Sequence, residues 1–284
     1  SIRIDWAPRT RADDTMIPSR SLLAAALSLA MAPAWAEMRP TLSFSGVPGL
    51  VDMPSGEAMA DGALSVTTAH FGPQLRTTLS FQITPRIQGS FRIMSTSGWD
   101  DVLPSRYSSY NDRSFDLRFL IARESKYLPS LTLGLQDFIG TGLYSAEYLV
   151  ATKTFGDRVK VTAGLGWGRL GSYGSIGAPF GTRPAIDPEN GGTLSTAQWF
   201  KGEAAPFGGI EWKINDRWTF KAEYSSDSYS EEAGRRKTFD RKSPLNFGFE
   251  YQQGNNLRLG ISWLYGSETG IAFNQILDPK RPAL

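Results

Sequence analysis

The 284-residue chain contains no cysteine and a single histidine, His70. The first absence excludes disulfides and leaves no thiol for a lipid-anchored N-terminal cysteine. The two together leave no ligand set for zinc. Charge of one sign is missing too, with 30 Lys+Arg against 28 Asp+Glu, so there is no electrostatic footprint for nucleic acid. Long apolar runs are also absent. The longest, "LLAAALSLAMA" at 22–32, has about eleven residues, where a spanning helix needs about 20.

That run follows Arg20 and precedes Ala34-Trp35-Ala36, a small-x-small site. It reads as a secretory signal over 16–36, cleaved after Ala36. Residues 1–15 place Asp13 and Asp14 where a signal should be basic, and are expected to be an upstream non-structural segment, with translation starting at Met16. Removing 1–36 takes away four basic and three acidic groups and leaves 26 against 25.

What remains is alternation. In "VKVTAGLGWG", 159–168, Val, Val, Ala, Leu and Trp hold the odd positions while Lys, Thr and three glycines hold the even ones. The same period-2 pattern marks strands near 62–70, 75–83, 86–94, 113–122, 130–138, 145–154, 159–168, 203–213, 217–226, 244–253, 257–266 and 269–277. The breaks alternate as well. "ITPR" at 83, "FGDR" at 155, "INDR" at 214 and "QGNN" at 253 are tight turns, with a looser "ARESKYLPS" from 122 in the equivalent place. Between them lie the long polar stretches 95–112, 169–202 and 227–243. Strands of about 9–11 residues, short-turned at one end and long-looped at the other, are the pattern of an outer-membrane barrel.

The faces segregate in the same sense. Leu75, Leu79, Phe81, Ile83, Phe115, Leu117, Phe119, Ile121, Trp218, Phe220, Phe247, Phe249, Leu259, Ile261, Trp263 and Tyr265 fall on the lipid side, uninterrupted by charge. Arg76, Arg92, Asp116, Arg118, Lys160, Lys221, Glu223, Glu250 and Arg258 fall on the lumen side. A charge on the lipid side at the midplane costs about 2–4 kcal/mol for Arg or Lys, which explains the sorting. Phe155, Trp167, Trp218 and Tyr265 suit interfacial girdles. Gly164, Gly166 and Gly168 would line the lumen and leave room for a neighbour. Pro206, Gly89 and Asp137 fit poorly, the last on the nominal lipid face.

Chemical motifs are sparse. "GLGWGRLG" at 164–171 lacks the helix a phosphate loop needs. His70, near a strand end, has no recognisable nucleophile motif beside it. The acidic pairs Asp100-Asp101 and Glu231-Glu232 lie in expected outer loops, and "EEAGRRKTFDRK", 231–242, reads as exposed. The inward charges serve either as rings that select what passes or as a ladder that neutralises itself. A soluble secreted β-sandwich, which also alternates, would partition without detergent.

"GVPGLVDMPSGEAMADGALSVTTAHFGPQLRTTLSFQITPR" (46–86), "GLQDFIGTGLYSAEYLVATKTFGDRVKVTAGLGWGRLG" (134–171) and "DRKSPLNFGFEYQ" (240–252) resemble the YjbH family of exopolysaccharide-associated outer-membrane barrels. The resemblance covers 46–284 and implies a role in polysaccharide secretion or surface assembly, beside periplasmic proteins of the same system. It transfers no catalytic residue. Some family members look like lipoproteins, which a Cys-free chain is not, and members are longer, so this chain resembles their amino-terminal portion.

The expected protein is therefore all-β: a transmembrane antiparallel up-and-down barrel of about twelve strands over 62–284, standing alone or as part of a larger one. Residues 37–61 are a candidate plug. The expected function is passage or docking of polysaccharide without cofactor or metal. The surroundings are outer-membrane lipid and lipopolysaccharide, polysaccharide and periplasmic proteins, with no nucleic acid. A lipid- or sugar-modifying enzyme that uses His70, or a scaffold of the export machinery, is the alternative. Under this reading Val161→Arg impairs assembly far more than Thr162→Arg.

Overall fold

The computed structural model describes residues 38–99, 109–185, 192, 194 and 196–279. The expected signal, the segment 1–15 and the pair Asp100-Asp101 lie outside the described residues. Twelve strands follow one another: β1 (Leu64–Phe71), β2 (Gln74–Gln82), β3 (Ile87–Ser97), β4 (Ser109–Ala122), β5 (Ser130–Ile139), β6 (Ala146–Phe155), β7 (Val159–Gly168), β8 (Ala204–Lys213), β9 (Trp218–Tyr224), β10 (Leu245–Gln253), β11 (Leu257–Leu264) and β12 (Glu268–Leu277). Each pairs antiparallel with the next, and β1 pairs with β12, from Leu64↔Leu277 to Phe71↔Gly270. Closure leaves no strand edge with unpaired N–H and C=O groups, the condition for crossing hydrocarbon.

The usual burial rule is inverted. Outward side chains such as Leu79, Phe119, Phe249, Leu259 and Trp263 are exposed, whereas Arg92, Asp116, Lys160, Glu211 and Lys221 are buried inside. An outside this apolar is stable only against an apolar solvent. The fold is a transmembrane β-barrel. The five tight or looser connections at 83–86, 123–129, 156–158, 214–217 and 254–256 sit at one end, and the described stretches 169–185, 196–203 and 225–244 sit at the other.

Three side chains and one loop depart from the expected pattern. Tyr265 was expected on the lipid face. It follows the end of β11 with φ +55°, which turns its ring into the barrel, where it is fully buried. Asp137 has φ +50° beside the irregular β4–β5 register between Phe115 and Leu117. That irregularity brings it inside, with its backbone N–H donating to Asp116 at 2.8 Å. Trp167 keeps its outward position but is only 5% exposed, because the following loop folds back and sets Phe200 and Phe180 against it, 5.3 and 6.0 Å between ring centres. Phe155 and Trp218 do face outward and are exposed. The stretch 231–242 is not wholly exposed: a short π-helical turn, Ser230–Arg235, buries Glu232, and Phe239 is buried beyond it.

The two other misfits have local reasons. Pro206 faces outward where β8 pairs with β7 only, since the β9 register begins at Gly208↔Tyr224; its missing N–H breaks no bond to β9. Gly89 leaves space that the exposed Ile83 side chain leans into, 3.3 Å from where a Cβ would stand.

Candidate functional site, the filled lumen

Residues 38–57 run through the interior as a doubled-back segment. Isolated bridges Leu42↔Pro48 and Gly49↔Pro54 hold its two bends, and the amides of Gly46 and Leu50 donate to the carbonyls of Ser43 and Met53 at 2.9 Å each. Gly46 has φ +74° and approaches the wall so closely that a Cβ would lie 2.6 Å from Cβ of Thr78. Gly56 is equally confined, 2.8 Å from the backbones of Ser130 and Thr152. Side chains at either position would push the segment off the wall.

The wall grips this segment at three levels. Towards the long-loop end, the Asp52 carboxylate accepts from Arg76 Nη1 at 2.7 Å, Tyr229 OH at 2.5 Å and Tyr265 OH at 2.6 Å. Burial opposes its ionisation, but the Arg76 charge and the two hydroxyls prevail and hold the carboxyl below its usual range. Arg76 is itself oriented by Gln74 Oε1, 2.7 Å from Nη2. Gln74 donates to Glu232 at 2.7 Å, and Arg169 bridges Glu232 and Asp227 at 3.0 and 2.6 Å while lying over the Tyr229 ring. Burial pushes the Asp227 carboxyl up to about 6, against the pull of Arg169.

At mid-depth, Glu223 Oε2 accepts three backbone N–H groups, from Val51, Asp52 and Met53, at 2.8–2.9 Å. Its other oxygen takes Asn246 Nδ2 at 2.7 Å. This is a carboxylate in a backbone nest with the usual sign of attraction. Arg92 pairs with Asp116 at 3.2 Å.

Towards the short-turn end, Lys160 Nζ meets Glu57 at 2.6 Å and the Arg39 carbonyl at 2.9 Å. Lys221 joins Glu250 at 3.0 Å to the Leu50 carbonyl. Arg258 donates to Glu250 at 3.2 Å and to the Pro40 carbonyl at 2.8 Å. Arg118 donates to the carbonyls of Ser55 and Glu57 and to Gln88 at 3.0 Å. Glu211 accepts from Thr41 at 2.7 Å.

All nine wall residues named from the sequence are buried. Arg76, Arg118, Lys160, Lys221, Glu223 and Arg258 touch the segment directly, while Arg92, Asp116 and Glu250 pair along the wall. The room left by the glycines is taken by side chains of the chain itself: Phe207 stands over Gly164, Leu170 over Gly166 and Arg183 beside Gly168. Alternation could not reveal Asp52, Glu57, Arg169 or Tyr229, which lie in aperiodic stretches, and it put Tyr265 on the wrong face. Asp52 and Glu57 do stand out as lone acids in a Gly-, Ser- and Pro-rich segment.

This arrangement fills the lumen, and among the described residues it assembles no acid–base–nucleophile set around His70. That residue faces outward on β1, opposite Ile271 and Leu75. A cavity of about 20 Å³ remains between Asp52, Arg76, Arg92, Tyr144 and Arg169, room for about one water.

A closed sheet clad in apolar side chains around a polar, occupied interior defines a transmembrane β-barrel of the outer-membrane type. Among such proteins the chain belongs to the YjbH family, described as exopolysaccharide biosynthesis protein YbjH, whose model matches residues 41–284. It is 30% identical over 260 residues to the uncharacterized lipoprotein YjbH of Escherichia coli (strain K12), a match covering 80% of this chain and 35% of that protein. The chain thus spans about a third of that relative's length. Solved structures of similar architecture include the KdgM porin (9% identity, TM-score 0.41, 75% of this chain and 98% of that one). Another is the COG4313 outer membrane channel from Pseudomonas putida F1 (9%, 0.41, 80% and 100%). The outer membrane phospholipase OMPLA of Salmonella typhi is a third (9%, 0.34, 77% and 90%).

Proposed function

We propose that the chain is a non-enzymatic outer-membrane barrel of an exopolysaccharide-producing system, exported by the 16–36 signal, whose lumen takes up or passes polysaccharide once the 38–57 segment yields. Lipid and lipopolysaccharide surround it, and periplasmic proteins of the same system hand over or receive the chain.

The observation that carries this reading is the chemistry of the grip on the segment. Hydrogen bonds and ion pairs hold it to Arg76, Arg118, Lys160, Lys221, Glu223 and Arg258. A polysaccharide offers the same kind of donors and acceptors along its length, so the wall can exchange one strand of polar ligand for another at little net cost in hydrogen bonding. A lumen sealed by apolar packing alone would lack that option.

Deletion of 37–61 is the test. The shortened barrel, reconstituted in planar bilayers, is expected to conduct ions well above the intact chain. Equal conductance of the two would remove the conduit reading.

A further inference from the structure

We infer that the ligand which displaces the segment is an acidic polysaccharide, and that its sugar carboxylates take the place of the Asp52 carboxylate between Arg76, Tyr229 and Tyr265. This rests on the proposed function and names the class of its substrate.

The first ground is that the cage does not depend on Asp52 for its shape. Gln74 fixes the Arg76 fork through Nε and Nη2. Arg76 Nη2 also donates to the Tyr229 hydroxyl at 2.7 Å, and the Tyr265 hydroxyl lies 3.1 Å from Ser225 Oγ. All these groups belong to β2, to the long loop after β9 or to the β11–β12 turn, not to the segment. The arrangement is a preformed receptor for a carboxylate.

The second ground is charge. Asp227 and Glu232 are committed to Arg169, and the carboxylate paired with Arg76 is Asp52, both side chains being almost fully buried. Withdrawal of Asp52 strands a buried guanidinium, which is strongly unfavourable. The segment therefore leaves in exchange for another anion, and a neutral sugar does not meet that condition.

The third ground is what withdrawal uncovers. Phe44 and Val51 of the segment pack in one cluster with Phe71, Tyr229, Phe239 and Tyr265. Removing them bares an aromatic wall beside Arg76, whose guanidinium lies 5.0 Å from the Phe71 ring centre. Aromatic faces receive the apolar C–H faces of sugar rings, so the vacated site presents ring-stacking surface next to a carboxylate receptor.

The chain has no cysteine of its own, so Ser45→Cys places a single thiol in the buried segment. The experiment follows maleimide labelling of this variant of the 284-residue chain in proteoliposomes with oligoalginate, maltodextrin of equal length, or oligoglutamate. Oligoalginate is expected to raise the labelling rate about tenfold or more, corresponding to a modest shift between two states, with no rise from maltodextrin and a smaller one from oligoglutamate. Adding Asp52→Asn is expected to lower the oligoalginate concentration needed. Adding Arg76→Gln should abolish the response whatever the basal rate, whereas Lys160→Gln, which loosens the segment at the short-turn end through Glu57 and the Arg39 carbonyl, away from the cage, should keep it.

Equal responses to maltodextrin and oligoalginate, or a response that survives Arg76→Gln, would overturn the inference. So would an oligoglutamate response matching that of oligoalginate, since charge alone would then be read. In each of these cases a conducting 37–61 deletion leaves the broader proposal standing, and a silent deletion removes both.

Discussion

Phe249 and Glu250 are neighbours in β10, and opposite rules govern them. The Phe249 ring is 45% exposed on the exterior, opposite Phe220 and Ile261 on the flanking strands. Glu250 is buried and satisfied by Lys221 and Arg258 at once. The exterior asks only that a side chain be apolar and of reasonable bulk, because its environment is a fluid that adapts. The interior asks for a particular partner at a particular distance, because a buried charge without one is costly. One wall thus carries both a permissive face and a specific one.

The contrast is broken most severely by putting charge on the permissive side. Phe249→Arg, near the middle of its strand, is expected to destabilise the barrel by about 2–4 kcal/mol, with Val161→Arg, closer to the short-turn end, costing less. Urea unfolding in lipid vesicles, followed by tryptophan fluorescence, measures both. A conservative outcome for Phe249→Arg would mean that this face does not meet hydrocarbon.

A second, intermediate effect belongs to the specific side. Asp227, in the long loop after β9, has its carboxyl raised from 3.8 to about 6 by burial. A raised acid binds its proton more tightly folded than unfolded, so its stabilisation is present below about pH 4 and is lost as pH climbs towards 6. Asp227→Asn removes that dependence. The stability of this variant relative to the unmodified chain is expected to rise between pH 4 and 6, and parallel curves for the two would show that the group does not titrate there.

The smallest effect sharpens the inside further. Thr162 is buried and its hydroxyl meets Thr152 at 2.8 Å, with the Gly56 amide also on Thr152 at 2.8 Å. The interior here is packed, so Thr162→Arg would overfill it and is no neutral foil for an exterior arginine. Thr162→Val instead isolates one hydroxyl and is expected to cost about 1 kcal/mol by the same unfolding measurement.

The permissive face is legible in the sequence for a physical reason. Side chains of a strand alternate with period 2, and a uniform apolar solvent imposes one demand along its whole length. The strand read near 159–168 is β7 itself, and those read near 130–138 and 257–266 end within two residues of β5 and β11. Misreadings arise where the period is locally reset. Tyr265 and Asp137 adopt positive φ and change sides, and Trp167 is covered by a loop that carries no periodic signal. The specific face is only half legible. The charges of the wall announce themselves, but Asp52, Glu57, Tyr229 and Arg169 come from bends and loops whose positions depend on long-range pairing. The ion pairs Asp52–Arg76 and Glu57–Lys160 join residues 24 and 103 apart along the chain, a separation no local pattern encodes.

The adjacency of Leu64 and Leu277 at the seam also bears on construction. With an even strand number, the first and last staves of the cylinder begin and finish side by side at the rim that carries the tight turns. Polypeptide joined before or after the cylinder would emerge at that same rim, without threading the membrane again. A longer relative can therefore add modules to either end while leaving the twelve staves and their filling undisturbed.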